Sequence, residues 1–181
     1  CIRDRVSTWS KILKKINNSK LVLKTSTKRF ATKRLKQLFE RNDVLDSVEF
    51  INKVPEFKKH LENYNHIDIA LDTFPYNGVT TSFEAIWMGV PVLTMAGYNF
   101  NSRCGESINK NLGMEQLIAK DEDDYVQKAV DFSNDKEKYI IIDFYEKYKD
   151  VEVVNNHIYH IIYPLKEKVI SDILRPKLYE E

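Results

Sequence analysis

Short apolar runs alternate with amphipathic segments from Arg5 to Ala119. The apolar runs are SKLVLKT, VEFIN, IDIALD, VPVLTMAG and EQLIA. IDIALD is apolar at nearly every position, which is typical of a strand that is covered on both faces. The alternation of such strands with helices predicts an α/β fold, a doubly wound parallel sheet. In such folds ligands lie beyond the carboxyl ends of the strands.

The segments between these strands have apolar residues at helical spacing. The first of them is predicted to pack through a stripe formed by Val6, Trp9, Ile12, Leu13 and Ile16. The second is predicted to pack through Phe30, Leu35, Leu38 and Phe39. From Asp121 onwards the pattern predicts helices only, at 122–132, 136–149 and 156–174.

Composition excludes several classes of partner. The 28 Lys and Arg nearly balance the 27 Asp and Glu, for a net charge of +1, so we expect no nucleic acid. No apolar run reaches the roughly 20 residues of a membrane-spanning helix. The two cysteines, Cys1 and Cys104, are expected to be reduced thiols in a cytoplasmic protein. Because the chain begins with Cys, we expect a piece of a longer protein.

The stretch LDTFPYNGVTTSFEAIWMGVP joins the third strand to a helix. A helix start offers N–H groups without intrahelical partners and partial positive charge, and phosphate binds well there. Gly78 lets the backbone approach an anion closely. Thr80 and Thr81 can donate hydrogen bonds to phosphate oxygens. These residues therefore indicate a phosphate site.

Glu84 follows one helical turn after Thr80 and Thr81. A carboxylate is unfavourable beside phosphate but accepts hydrogen bonds from ribose, as in dinucleotide sites. Phosphate followed by ribose predicts a nucleotide. The alternative is structural: Asn77–Gly78 is a common turn pair, and Thr80 would then cap the helix.

The stretch IDIALDTFPYNGVTTSFEAIWMGVPVLTMAG, followed by SRCGESI and LGMEQLIA, resembles the C-terminal catalytic half of the O-linked N-acetylglucosamine transferase family, with its SPINDLY-like relatives. WSKILKKINNSKLVLK resembles the upstream motif of that family. The likeness extends from Trp9 to about Phe132. It implies the GT-B fold, in which two Rossmann-like domains enclose a sugar donor.

The resemblance also implies roles for single residues. Thr80 and Thr81 match the pair that holds the donor diphosphate and stabilises it as it leaves. Glu84 matches the acid that binds the ribose of a uridine nucleotide. His60 matches a histidine that packs near the uracil.

Further positions follow from the same resemblance. Val54 and Pro55 are expected to border the base, and Tyr76 to lie near the donor sugar. Gly78 belongs to the phosphate turn. Lys24 is expected to add positive charge to the cleft.

By resemblance, residues 1–134 form a Rossmann-like nucleotide-sugar-binding domain without its first strand, and residues 135–181 form a helical C-terminal tail packed on it. The implied function is the donor half of an inverting transferase that moves N-acetylglucosamine from UDP-GlcNAc to Ser or Thr of proteins. No cofactor and no metal are expected beyond the UDP-sugar. The other partners would be a missing N-terminal GT-B domain and tetratricopeptide (TPR) repeats, and the fragment alone is expected to be inactive.

Two other functions remain open: a GT-B enzyme acting on a glycan or polysaccharide, and an inactive nucleotide-binding module. Val79 departs from the His or Gly of most relatives, and the segment after Ile140 diverges. Ser102 and Arg103 are either anion ligands or parts of a local salt bridge. His157 and His160 have helical spacing but no joining carboxylate or thiol, so no metal site is predicted.

Overall fold

Helices and strands alternate through residues 2–25 and 29–135, the parts of the chain that the computed structural model describes. In chain order they are α1 (Ile2–Lys15), β1 (Leu21–Thr25), α2 (Arg29–Glu40), β2 (Val48–Asn52), α3 (Phe57–Glu62), β3 (Ala70–Leu71), α4 (Thr80–Trp87), β4 (Val92–Met95), α5 (Cys104–Asn111), β5 (Ile118–Ala119) and α6 (Glu122–Asn134). This order confirms the predicted alternation. The helices expected at 136–149 and 156–174 lie outside the described residues.

All the strand pairs in this part of the chain are parallel. β1 pairs with β2, from Leu21 opposite Val48 onwards. β4 lies between β3 and β5, with Ala70 opposite Val92 and Thr94 opposite Ile118. Parallel pairing requires a crossover between strands, and helices supply it here. The parallel α/β class predicted from the sequence is confirmed.

The core surrounds β4. Its successive residues Val92, Leu93 and Thr94 are all buried, so both faces of the strand are covered. Helices α4, α5 and α6 pack on β4, and α1 packs on α6. On α1 the predicted stripe is confirmed by three buried side chains, those of Val6, Trp9 and Ile12.

Some elements are shorter than the sequence pattern predicts. The strand expected at 90–97 begins its ladder at Val92, since Pro91 has no N–H to donate. The helix expected from Asn101 is divided, because the side chain of Asn99 caps a 3₁₀ turn that ends at Ser102. The strand expected at 115–119 begins as a 3₁₀ turn and forms a ladder only at its end. Local hydrogen bonds therefore compete with the longer elements.

A buried carboxylate holds the turn between β3 and α4. Asp72 follows β3 directly and is 7% exposed. Its Oδ1 accepts hydrogen bonds from the backbone N–H groups of Gly78 at 2.7 Å and Thr73 at 2.9 Å. Its Oδ2 accepts one from the Thr94 hydroxyl at 2.8 Å. The far end of the turn is thus fixed to the end of the strand, which places the start of α4.

Burial raises the pKa of Asp72 above its ordinary value of 3.8, and the hydrogen bonds from Gly78, Thr94 and Thr73 oppose that increase. Charged Asp72 is therefore costly in the folded state despite its partners. Because folding raises the pKa of Asp72, its protonated carboxyl contributes fully to the stability of the fold below pH 3.8. That contribution is lost as the pH rises through the raised pKa.

Asn77 ties the same turn to α5. Its amide donates to the Thr73 carbonyl at 3.0 Å, and its Oδ1 accepts from the Gly105 N–H at 3.3 Å. A Cβ on Gly105 would lie 2.7 Å from Asp72 Oδ2 and closer still to Thr94 Oγ1. Only glycine lets α5 approach the turn this closely.

Within the described residues no helix is long and apolar enough to cross a membrane. All of those residues belong to one compact unit of the chain.

We predict that Asp72→Asn and Asp72→Ala differ sharply in stability. The amide side chain of Asp72→Asn keeps an acceptor for the two N–H groups and can donate to the Thr94 hydroxyl oxygen. The Asp72→Ala change leaves buried donors without partners, at about 1–3 kcal/mol each. Urea unfolding near neutral pH should show Asp72→Ala as the far less stable variant. Raising the pH from about 3 to about 7 should lower wild-type stability relative to Asp72→Asn. Equal stability of the two variants would contradict this account of the turn.

A second prediction concerns Gly105→Ala. The added methyl group meets the packed side chains of Asp72 and Thr94, so we expect a loss of about 1–3 kcal/mol in the free energy of unfolding. Ser107→Ala, at an exposed position of the same helix, is the control and should change stability by about 0.5 kcal/mol or less. Indistinguishable urea midpoints for the two variants would show that α5 can move away from the turn.

Candidate functional site

The start of α4 is open to solvent. Thr80 and Thr81 are both exposed, and they form the first turn of the helix. The N-cap residue is Val79, which makes no side-chain capping hydrogen bond. Thr80 is therefore not the cap, contrary to the structural alternative. The first N–H groups of α4 have no intrahelical partners and no cap from a side chain.

Gly78 is required by close packing in this turn. A Cβ at this position would lie 2.5 Å from Thr81 Oγ1 and 3.1 Å from Ser82 Oγ. No positive φ is involved. Because Gly78 has no side chain, the Thr81 hydroxyl can lie against the backbone of the turn, next to the helix start.

Glu84 lies one turn further along α4 and contacts α3. Its Oε2 is 2.9 Å from Nε2 of His60, and the two side chains are 17% and 16% exposed. On the other side of the ring, Nδ1 of His60 is 2.7 Å from Nζ of Lys24, at the end of β1. Three residues that are distant in sequence therefore form one polar chain, Lys24–His60–Glu84.

Tyr64 completes this corner of the site and was not singled out from the sequence. Its ring packs edge-on against His60 with 5.9 Å between centroids, and its hydroxyl lies 3.4 Å from the Thr81 carbonyl oxygen. Burial, together with the neighbouring carboxylate of Glu84, raises the pKa of Tyr64 to about 12. The phenol therefore stays neutral in the ordinary pH range, and it links the 3₁₀ turn Asn63–His66, which follows α3, to the start of α4. Its helical spacing from His60 was the available signal.

The remaining predicted residues lie around this centre. Val54 is half-buried and Pro55 is exposed, and both precede the helix that carries His60. Tyr76 is 67% exposed at the tip of the turn, and its carbonyl oxygen accepts from the Thr73 hydroxyl at 2.5 Å. Val54 and Pro55 thus directly precede the helix that carries His60, Tyr76 lies in the turn before α4, and their contacts with a nucleotide stay predictions.

Ser102 and Arg103 are engaged locally. Ser102 is buried in the capping box with Asn99. Arg103 binds Glu106 through two hydrogen bonds, at 2.8 and 3.2 Å. These contacts and that of Lys110 lower the pKa of Glu106 to about 2. Of the two alternatives for Arg103, the structure shows the local salt bridge.

A groove of about 490 Å³ lies between α4 and α5. It is lined by apolar side chains that include Val79, Phe83 and Phe100 and by the charged pair Arg103 and Glu106. Thr80, Thr81, Glu84 and His60 do not line it. The side chain of Val79 thus faces this groove.

Between residues 2 and 135, excluding 26–28, no three His, Cys, Asp or Glu side chains are grouped as a metal ion would need. His157 and His160 lie outside the described residues. The expectation of metal-independent chemistry stays a prediction.

A family model described as glycosyl transferase family 41 matches residues 3–160. This match is longer at both ends than the likeness predicted for 9–132, and it includes part of the segment that was expected to diverge.

Curated relatives carry names of peptide N-acetylglucosaminyltransferases. The probable UDP-N-acetylglucosamine–peptide N-acetylglucosaminyltransferase SPINDLY of Arabidopsis thaliana is 37% identical over 141 residues, which is 72% of this chain and 15% of that protein. A UDP-N-acetylglucosamine–peptide N-acetylglucosaminyltransferase of Giardia intestinalis is 36% identical over 76 residues, 42% of this chain and 5% of that protein. The chain thus spans a small part of these relatives.

A solved structure of an O-GlcNAc transferase point mutant from Thermobaculum terrenum superposes on the chain with a TM-score of 0.71 at 31% identity. The likeness covers 79% of this chain and 28% of that one. It confirms the fold class predicted from the sequence, half of a GT-B glycosyltransferase. With the family match over residues 3–160, it follows that the chain belongs to glycosyl transferase family 41.

Proposed function

We propose that this chain is the donor-binding half of a protein O-glycosyltransferase that uses a UDP-sugar. The observation that carries the proposal is the exposed, uncapped start of α4 with Thr80 and Thr81 at its first turn. Such a helix start favours phosphate through its free N–H groups and its dipole. The two hydroxyls add donors for the diphosphate of the nucleotide.

The corner formed by Glu84 and His60 supports the nucleoside part of the proposal. A half-buried carboxylate one turn from the phosphate position can accept hydrogen bonds from ribose hydroxyls. The rings of His60 and Tyr64 offer an aromatic edge for the base, with Val54 and Pro55 beside it. Tyr76 extends from the turn toward the sugar.

The proposed reaction is transfer of N-acetylglucosamine to a Ser or Thr hydroxyl of an acceptor protein, and its support is that the relatives are named peptide N-acetylglucosaminyltransferases. The hydroxyl oxygen attacks the anomeric carbon from the face opposite the leaving group. The bond from that carbon to the diphosphate breaks, UDP leaves with the electron pair, and the configuration inverts. The proton of the hydroxyl passes to a base outside this chain.

The role of this half is to stabilise the departing diphosphate. Negative charge grows on the phosphate oxygens as the bond breaks, and preorganised N–H and hydroxyl donors stabilise it. We expect these donors to act without a metal ion. The other GT-B domain and the acceptor site belong to the rest of the protein.

We predict that Thr81→Ala and Glu84→Ala each weaken UDP binding by about tenfold, the effect of losing a hydrogen bond to a charged or ribose group. Isothermal titration of the 181-residue chain with UDP measures this. Addition of EDTA should leave the affinity unchanged.

The controls are Ser7→Ala on α1 and Glu40→Ala on α2, an exposed hydroxyl and an exposed carboxylate on helices that carry none of the predicted site residues. They should bind UDP as the wild type does. Wild-type affinity in Thr81→Ala and Glu84→Ala would refute the site, and tighter binding of GDP than of UDP would refute the uridine assignment.

A further inference from the structure

The contact between Lys24 and His60 determines which nitrogen of the ring carries a proton. Nζ of Lys24 lies 2.7 Å from Nδ1 of His60. An ammonium group has only donors, so Nδ1 must accept this hydrogen bond. A proton on Nδ1 would instead point at the ammonium group.

The second ring nitrogen meets an acceptor. Nε2 of His60 lies 2.9 Å from Oε2 of Glu84, and a carboxylate can only accept. The proton of the neutral ring is therefore on Nε2. Lys24, His60 and Glu84 form a directed chain in which each donor faces an acceptor.

The surroundings of Lys24 agree with this arrangement. Loss of solvent lowers the pKa of Lys24, the carboxylate of Glu84 opposes that decrease, and the nearby Lys53 adds to it. The carboxylate of Glu84 thus favours the ammonium form of Lys24 by Coulomb attraction. Since Nζ lies at hydrogen-bond distance from His60, one of its three donors is already used.

We propose that Lys24 is a positioning residue that acts through His60, and not a phosphate ligand. By fixing the Nε2–H tautomer it makes the ring a donor to Glu84, and this sets the orientation of the carboxylate. The identification of a ribose as the ligand of that carboxylate rests on the proposed function. The assignment of the His60 tautomer does not rest on it, because it follows from the contacts with Lys24 and Glu84.

The first test is ¹⁵N NMR of the histidine rings in the 181-residue chain, with the His60 signals identified by their loss in His60→Gln. The wild type should show the Nε2–H tautomer. In a Glu84→Ala background, where Lys24 is the remaining partner of the ring, His60 should keep the Nε2–H tautomer. Adding Lys24→Met to that background should shift the ring toward a mixture with Nδ1–H, whereas Lys24→Arg, which keeps a cationic donor, should not. Lys53→Met is the matched control, since it removes a neighbouring charge without touching the ring. An unchanged tautomer when Lys24→Met is added to Glu84→Ala would overturn the proposal.

The second test compares uridine, which has no phosphate, with UDP by isothermal titration. A positioning residue affects both ligands alike, so Lys24→Met should weaken each by about fivefold, roughly the effect of one hydrogen bond. In a His60→Gln background the same substitution should add no further loss. A loss confined to UDP would identify Lys24 as a phosphate ligand and overturn the proposal. If the wild type binds neither ligand, the proposed function fails, and the NMR result still decides the role of Lys24.

Discussion

The buried carboxylate of Asp72 receives hydrogen bonds from both ends of the turn that precedes α4 and from β4. Its burial is unfavourable for the charge, as the raised pKa shows. A buried charge of this kind adds little net stability when it is fully satisfied, but losing a partner is expensive. The carboxylate therefore acts mainly on geometry. It fixes where the first residues of α4 lie, and Thr80 and Thr81 take their positions from it.

A second set of hydrogen bonds, the series Lys24–His60–Glu84, also helps to build the site. Lys24 belongs to β1, His60 to α3 and Glu84 to α4, so the series joins elements of the two strand groups. The contact of His60 with Glu84 is partly buried, that of Lys24 with His60 is exposed, and consecutive hydrogen bonds of this kind strengthen one another by polarisation. The turn held by Asp72 places the phosphate end of the site, and this series places the nucleoside end.

Sequence patterns predicted the parts of this molecule that depend on local spacing. The alternation of strands with helices and the threonines at a helix start follow from period and turn chemistry. The contact of Lys24 with His60 joins residues 36 apart in sequence, and no local pattern reveals it. Strand lengths were overestimated because apolar runs continue into turns such as Glu115–Leu117, where 3₁₀ hydrogen bonds replace the ladder. Asp72 was visible as the end of an apolar run, but its partner Thr94 comes from another strand.

Val79 shows how the site differs from an ordinary helix start. A Ser, Thr, Asp or Asn at the N-cap would stabilise α4 by about 0.5–2 kcal/mol by accepting from the first N–H groups. Those same groups would then be less available to an external anion. Val79 accepts nothing through its side chain, which lines the groove toward α5. The N–H donors and the Thr80 and Thr81 hydroxyls thus have no competing acceptor from the cap. Val79 before this helix is in this way compatible with phosphate binding, because an anion needs donors here and the backbone supplies them.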